Sequence, residues 1–74
     1  MKYVIINESV PMLFPDYKDH AEFRHFGNIT SAGFVRFYKN GNGEIRSNTY
    51  GKSLSLRIGQ DTMDSVLIDM LIRV

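Results

Sequence analysis

The chain has 74 residues, enough for one domain that buries only about 60% of its unfolded surface on folding, so a deep catalytic cleft is hard to build. Apolar residues at 43% and aromatics at 12% exclude general disorder, and the lack of cysteine excludes a disulfide framework and thiolate chemistry. Nine basic residues against eight acidic leave a net charge of +1, without the strong basic excess of a dedicated nucleic-acid binder.

Tyr3 to Ile6 is an uninterrupted apolar run, suited to a strand covered on both faces. It is too short for a signal peptide or a membrane span, which points to the cytoplasm. Asn7-Glu8-Ser9 predicts a turn and Val10 to Phe14 a second strand, placed at a sheet edge because Pro11 has no amide to donate. Asp16, with Asp19 three residues on, resembles an N-cap with an acidic first turn, and Gly27 is a fitting stop. A helix of about three turns is therefore expected from Asp16 to Phe26. His20 and His25 lie on it five apart and diverge, so they do not face one metal ion. His20 is expected near Asp16, one turn back.

Ile29 to Ile58 forms the centre of the chain. Ile29, Ser31, Gly33, Val35 and Phe37 alternate with Thr30, Ala32, Phe34, Arg36 and Tyr38, the period of a half-buried strand. Arg36 should face water, because an unpaired buried charge is costly, which turns Val35 and Phe37 to the core. The segment Lys39-Asn40-Gly41-Asn42-Gly43 carries two Asn-Gly pairs able to supply positive φ. Ile45 is the only apolar residue of the returning strand before Tyr50, so it should share a face with Phe37. That requires a loop of odd length, three or five residues, with Ile45 opposite Phe37 and Arg46 opposite Arg36. Phe34, Arg36, Tyr38, Arg46 and Tyr50 would then form one outer face. It reads either as an aromatic and basic platform for nucleic acid or another anion, or as an ordinary solvated sheet face with its arginines in water or paired.

Past Tyr50 the apolar parity changes to Leu54, Leu56 and Ile58, so Gly51 marks a bulge or turn before a third strand of this region. Gly51-Lys52-Ser53 lacks the upstream glycine and the following helix of a phosphate loop. Ser53 and Ser55 have no evident base. Asp61 is expected to cap a closing helix with Asp64 at its third position. Its stripe of Met63, Val66, Leu67, Met70, Leu71 and Val74 reads as a core face. Ile68 and Ile72 fall elsewhere, so the helix needs cover on a second side. The first helix is expected over Ile68, and Ile72 is left as a candidate partner contact.

The expected order is ββαβββα: an α+β domain in two layers, an antiparallel sheet of four or five strands with two helices against one face. Several stretches together resemble small phage- and prophage-encoded proteins: Leu13-Phe14-Pro15, His20-Ala21-Glu22, Ser31-Ala32-Gly33-Phe34-Val35, Gly51-Lys52-Ser53-Leu54-Ser55-Leu56 and Asp61 to Asp64. The resemblance implies a cytoplasmic setting and action by binding, as inhibitors of host defence such as anti-CRISPR proteins do; no activity comes with it. The expectation is a non-enzymatic protein-binding module without cofactor, metal or membrane. Its partner would be a second copy or a host or phage protein, with nucleic-acid or anion binding as the alternative.

Overall fold

The computed structural model describes residues 1–73. Its elements are β1 (Lys2–Ile6), β2 (Val10–Phe14), a 3₁₀ helix (His20–Phe26), β3 (Ile29–Lys39), β4 (Ile45–Tyr50), β5 (Lys52–Ser53), β6 (Ile58–Gly59) and α1 (Asp64–Ile72). Four strands form an antiparallel sheet in the order β2-β1-β3-β4, and β5 and β6 make a separate ribbon. The α+β class follows as expected. The apolar run of β1 lies inside the sheet with Tyr3 to Ile6 all buried, and Pro11 sits on the edge strand opposite Ile5.

Alternation along β1 sends Tyr3 and Ile5 to one face and Val4 to the other, and each face has its own apolar cluster. Tyr3, Ile5 and Val35 pack with Ile68 of α1. Val4, Ile6, Phe14, Ile29 and Ala32 pack with Phe23 of the 3₁₀ helix and with Leu56 and Ile58. The helices thus lie on opposite faces of the sheet rather than together on one, and Ile68 is covered by the sheet, not by the first helix. Ile29 joins Ala32 despite its odd number because the β1–β3 register slips between Ile5 and Ile6.

The first helix starts later than its sequence suggests. Asp19, not Asp16, is the cap: its Oδ1 accepts from the Ala21 amide at 2.9 Å, while Glu22 Oε2 accepts from the Asp19 amide at 2.7 Å. Asp16 instead pairs with the N-terminal ammonium at 2.9 Å. The three-residue period of a 3₁₀ helix aligns His20, Phe23 and Phe26 in one row, which a 3.6-residue period would spread. Phe23 from that row stacks on Phe14 with centroids 4.1 Å apart. Gly27 ends the helix at φ +147°, where a Cβ would meet Ile6 Cγ2 at 2.6 Å.

The β3–β4 loop has the odd length expected, the five residues from Asn40 to Glu44, but Ile45 pairs with Lys39 instead of Phe37. Asn40 organises the longer loop: its Oδ1 accepts from the amides of Asn42 and Glu44 at 2.9 and 3.0 Å. Phe37 and Ile45 still share a face, one rung apart, and both are exposed because the core ends at Val35. Gly51, at φ +72°, re-aims the chain as expected. Residues 54–57 then form a turn between β5 and β6 rather than a strand, and Leu54 points into solvent.

Candidate interaction surfaces

The register places Phe34 opposite Tyr50, Arg36 opposite Asn48 and Tyr38 opposite Arg46, so the outer-face residues expected from the sequence do share one face. The like-charged rung does not form, because Arg46 is displaced one step from Arg36. Arg36 instead lies with its guanidinium carbon 4.4 Å from the centroid of Tyr50, a cation–π contact. Tyr50 also stacks on Phe34, centroids 5.6 Å apart. Arg46 is flanked by carboxylates, Glu44 at 3.5 Å and Asp69 at 3.7 Å. Hydrogen bonding from Asn40, then the charge of Arg46, holds the Glu44 carboxyl below the usual range. Both arginines of this face already have partners within the chain.

Beside Phe34, Lys2, Lys52, Asp19 and His20 line a cavity of about 300 Å³. His20 is buried, with Nε2 2.8 Å from the Gly33 carbonyl and its ring edge-on to Phe14 and Phe34. The Gly33 carbonyl, not Asp16, is its partner. Ser55 donates to Asp19 Oδ1 at 2.6 Å and Lys2 Nζ to the Lys18 carbonyl at 2.8 Å. The Ser55 hydroxyl, then the Ala21 amide, keeps the Asp19 carboxyl below its ordinary range. The polar groups here close the chain on itself. His25 lies outside, its ring tilted against Phe26 with centroids 4.1 Å apart, and among the described residues no three His, Cys, Asp or Glu side chains gather to hold a metal ion.

The third surface is α1, and it is inverted. The stripe expected in the core is the exposed one: Met63 is 58% exposed and Met70 63%, with Val66 and Leu71 also open and only Leu67 half-buried. Val74 of that stripe lies outside the described residues. The covered side carries Asp64 and Ile68, 2% and 0% exposed, with Ile72 half-buried on the same side. Ile72, expected to be the outlying residue of the helix, is thus less open than Met63, Val66 and Met70.

Polar anchors hold the helix this way round. Asp64 accepts hydrogen bonds from the Tyr3 hydroxyl at 2.5 Å, the Ser31 hydroxyl at 2.8 Å and the Asp61 amide at 2.9 Å. Asp61 Oδ1 in turn accepts from the Met63 amide, so Asp61 closes the turn ahead of the helix much as a capping box would. One turn from the C-terminal end, Asp69 Oδ1 accepts from the Ser47 amide at 2.7 Å and the Ser47 hydroxyl at 2.8 Å. This satisfies an amide of the edge strand β4. A nearby cavity of about 270 Å³ opens between Ser31, Thr30 and the first turn of α1.

The sequence signal for this surface was the apolar character of α1 on both sides, which meant that one side would be left uncovered. Spacing did not say which. No helix is long and apolar enough to cross a membrane among the described residues. Comparison with known proteins adds no relative: no family model fits the chain, and no curated protein or solved structure matches it.

Proposed function

We propose that this protein is a non-enzymatic protein-binding module that docks through the outward face of α1. One observation carries the reading. Asp64 and Asp69, the charged residues within the helix, turn toward the sheet, and Met63, Val66 and Met70 turn to water. A helix in a soluble fold normally does the reverse, and an apolar outer face marks an interaction site. Methionines suit such a surface, since their unbranched side chains adapt to a partner's shape. The resemblance to small phage-encoded proteins supports a partner of protein nature, with inhibition of a host defence protein as the effect of binding.

Met70→Glu tests the docking face. With its side chain already in solvent, the variant should keep the wild-type circular dichroism and melting temperature. It should lose self-association in light scattering, or lose a specific protein that the wild type retains from a host lysate. A strictly monomeric wild type that retains nothing, or a Met70→Glu variant that binds as well as wild type, contradicts the reading.

The exposed rings of Tyr38 and Tyr50 beside Arg36 favour a second reading, single-stranded nucleic acid on the outer face of the hairpin. Salt-sensitive binding of a labelled oligonucleotide that disappears in Arg36→Ala would establish it; no binding at low salt would end it.

A further inference from the structure

We propose that the cavity lined by His20, Lys2 and Lys52 is a binding site for a small phosphorylated polyol. Lys2 alternates with Tyr3 along β1 and pairs with Phe34, so the cavity lies on the face of the sheet opposite α1. The proposal is therefore independent of the docking face.

His20 carries the argument. Its side chain is 3% exposed and lines the cavity. Nε2 must donate to the Gly33 carbonyl, which only accepts, so Nδ1 is left as the acceptor of the ring. No group among the described residues bonds to Nδ1, yet no buried side-chain nitrogen or oxygen among them is sealed away without a partner. Nδ1 therefore opens onto the cavity, where it meets a donor from outside the chain. Edge-on contacts with Phe14 and Phe34 hold the ring in place, so this acceptor is already oriented before a ligand arrives.

The remaining lining sets the chemistry. Lys52 Nζ has no partner among the described residues, and Lys2 Nζ has only the Lys18 carbonyl. Asp19 spends Oδ1 on the Ala21 amide and the Ser55 hydroxyl, while Oδ2 takes no bond. The cavity thus offers two ammonium groups and two acceptors, with Phe34 and Leu54 as an apolar wall. A phosphate monoester, with a charge of about −1.5 to −2, matches two lysines. Hydroxyl groups on the same molecule supply the donors that Nδ1 and Oδ2 lack, and its C–H groups pack on Phe34. Inorganic phosphate alone would leave Nδ1 unmet beside the Asp19 carboxylate, and a neutral sugar would leave both ammonium groups unmet. A volume of about 300 Å³ is at the small end for ligand pockets and suits a single phosphorylated sugar.

NMR titration of isotope-labelled protein with ribose 5-phosphate tests the proposal. The amides of Lys2, His20, Phe34 and Lys52 should shift saturably, with a dissociation constant on the order of 1 mM or below. The Nδ1 resonance of His20 should move with them, and that of His25, outside the cavity, should not. Ribose and inorganic phosphate should each bind at least about tenfold more weakly. Lys52 is exposed, so Lys52→Gln should fold as wild type and lose at least about tenfold in affinity. Met70→Glu, on the opposite face, should bind as wild type. The proposal is overturned by the absence of saturable shifts, by a Lys52→Gln variant that binds unchanged, or by saturation that leaves His20 Nδ1 unmoved. Inorganic phosphate binding as tightly as the sugar phosphate would show that no polyol is recognised, and overturns it equally.

Discussion

Burying a carboxylate is costly unless donors replace its water, and Asp64 has three: two hydroxyls from the sheet and one backbone amide. Those bonds make one rotation of α1 far better than any other, because turning the stripe inward would strand Asp64 or leave Tyr3 and Ser31 without a partner. Burial, and then the bond to Asp64, pushes the Tyr3 hydroxyl far above its ordinary pKa. An unfolded chain ionises its tyrosines near pH 10. Folded Tyr3 keeps its proton there, so its contribution is complete below that pH and declines as the pH rises beyond it. Tyr3→Phe should cost about 1–3 kcal/mol near neutrality through the donor Asp64 loses. It should also flatten the fall in urea midpoint between about pH 9 and pH 11. Equal slopes in the two proteins would mean that Tyr3 is not protonated against Asp64 in the folded state.

At the scale of elements, what could be read in the sequence depended on how far the deciding partner lay along the chain. The central strand was legible from Tyr3 to Ile6, and Pro11 marked its neighbour as an edge. The parity of the hairpin was legible because Ile45 had to share a face with Phe37; its length of five was not, since that follows from two hydrogen bonds to the Asn40 side chain. The 3₁₀ helix was misplaced because Asp16 and Asp19 are both plausible caps, and only Asp19 has Glu22 three residues on to complete the box. Leu54, Leu56 and Ile58 alternate as a strand would, yet residues 54–57 turn back over the sheet and only Leu56 and Ile58 reach the cluster. For α1 the spacing grouped Met63, Val66 and Met70 correctly on one side. Their exposure was illegible, because it is set by Tyr3 and Ser31, which lie 61 and 33 residues from Asp64. Of the candidate surfaces, the five residues of the outer hairpin do share one face, with Arg46 one step from the rung opposite Arg36, and the helix surface came through as a stripe with its direction reversed.

At the scale of the molecule, the sheet is covered on both faces around β1, the adjoining half of β3 and the Leu13–Phe14 end of β2, and the chain extends over 37 × 20 × 19 Å. The hairpin runs past this cover with Phe37 and Ile45 open on the side of α1. Both apolar clusters form without Phe37, Ile45, Met63, Val66 and Met70, while Leu67 of the stripe packs against Tyr3, Ile5, Val35 and Ile68. What remains apolar and open on this side includes Phe37, Ile45, Met63, Val66 and Met70. Reaction of a thiol reagent with single cysteines at positions 68 and 70, in dilute protein, tests this most directly. Met70→Cys should react at nearly the rate of an unfolded thiol, while Ile68→Cys stays protected until the protein unfolds. A protected position 70 beside a reactive position 68 would show that α1 packs by its methionine stripe, and the docking surface would not exist.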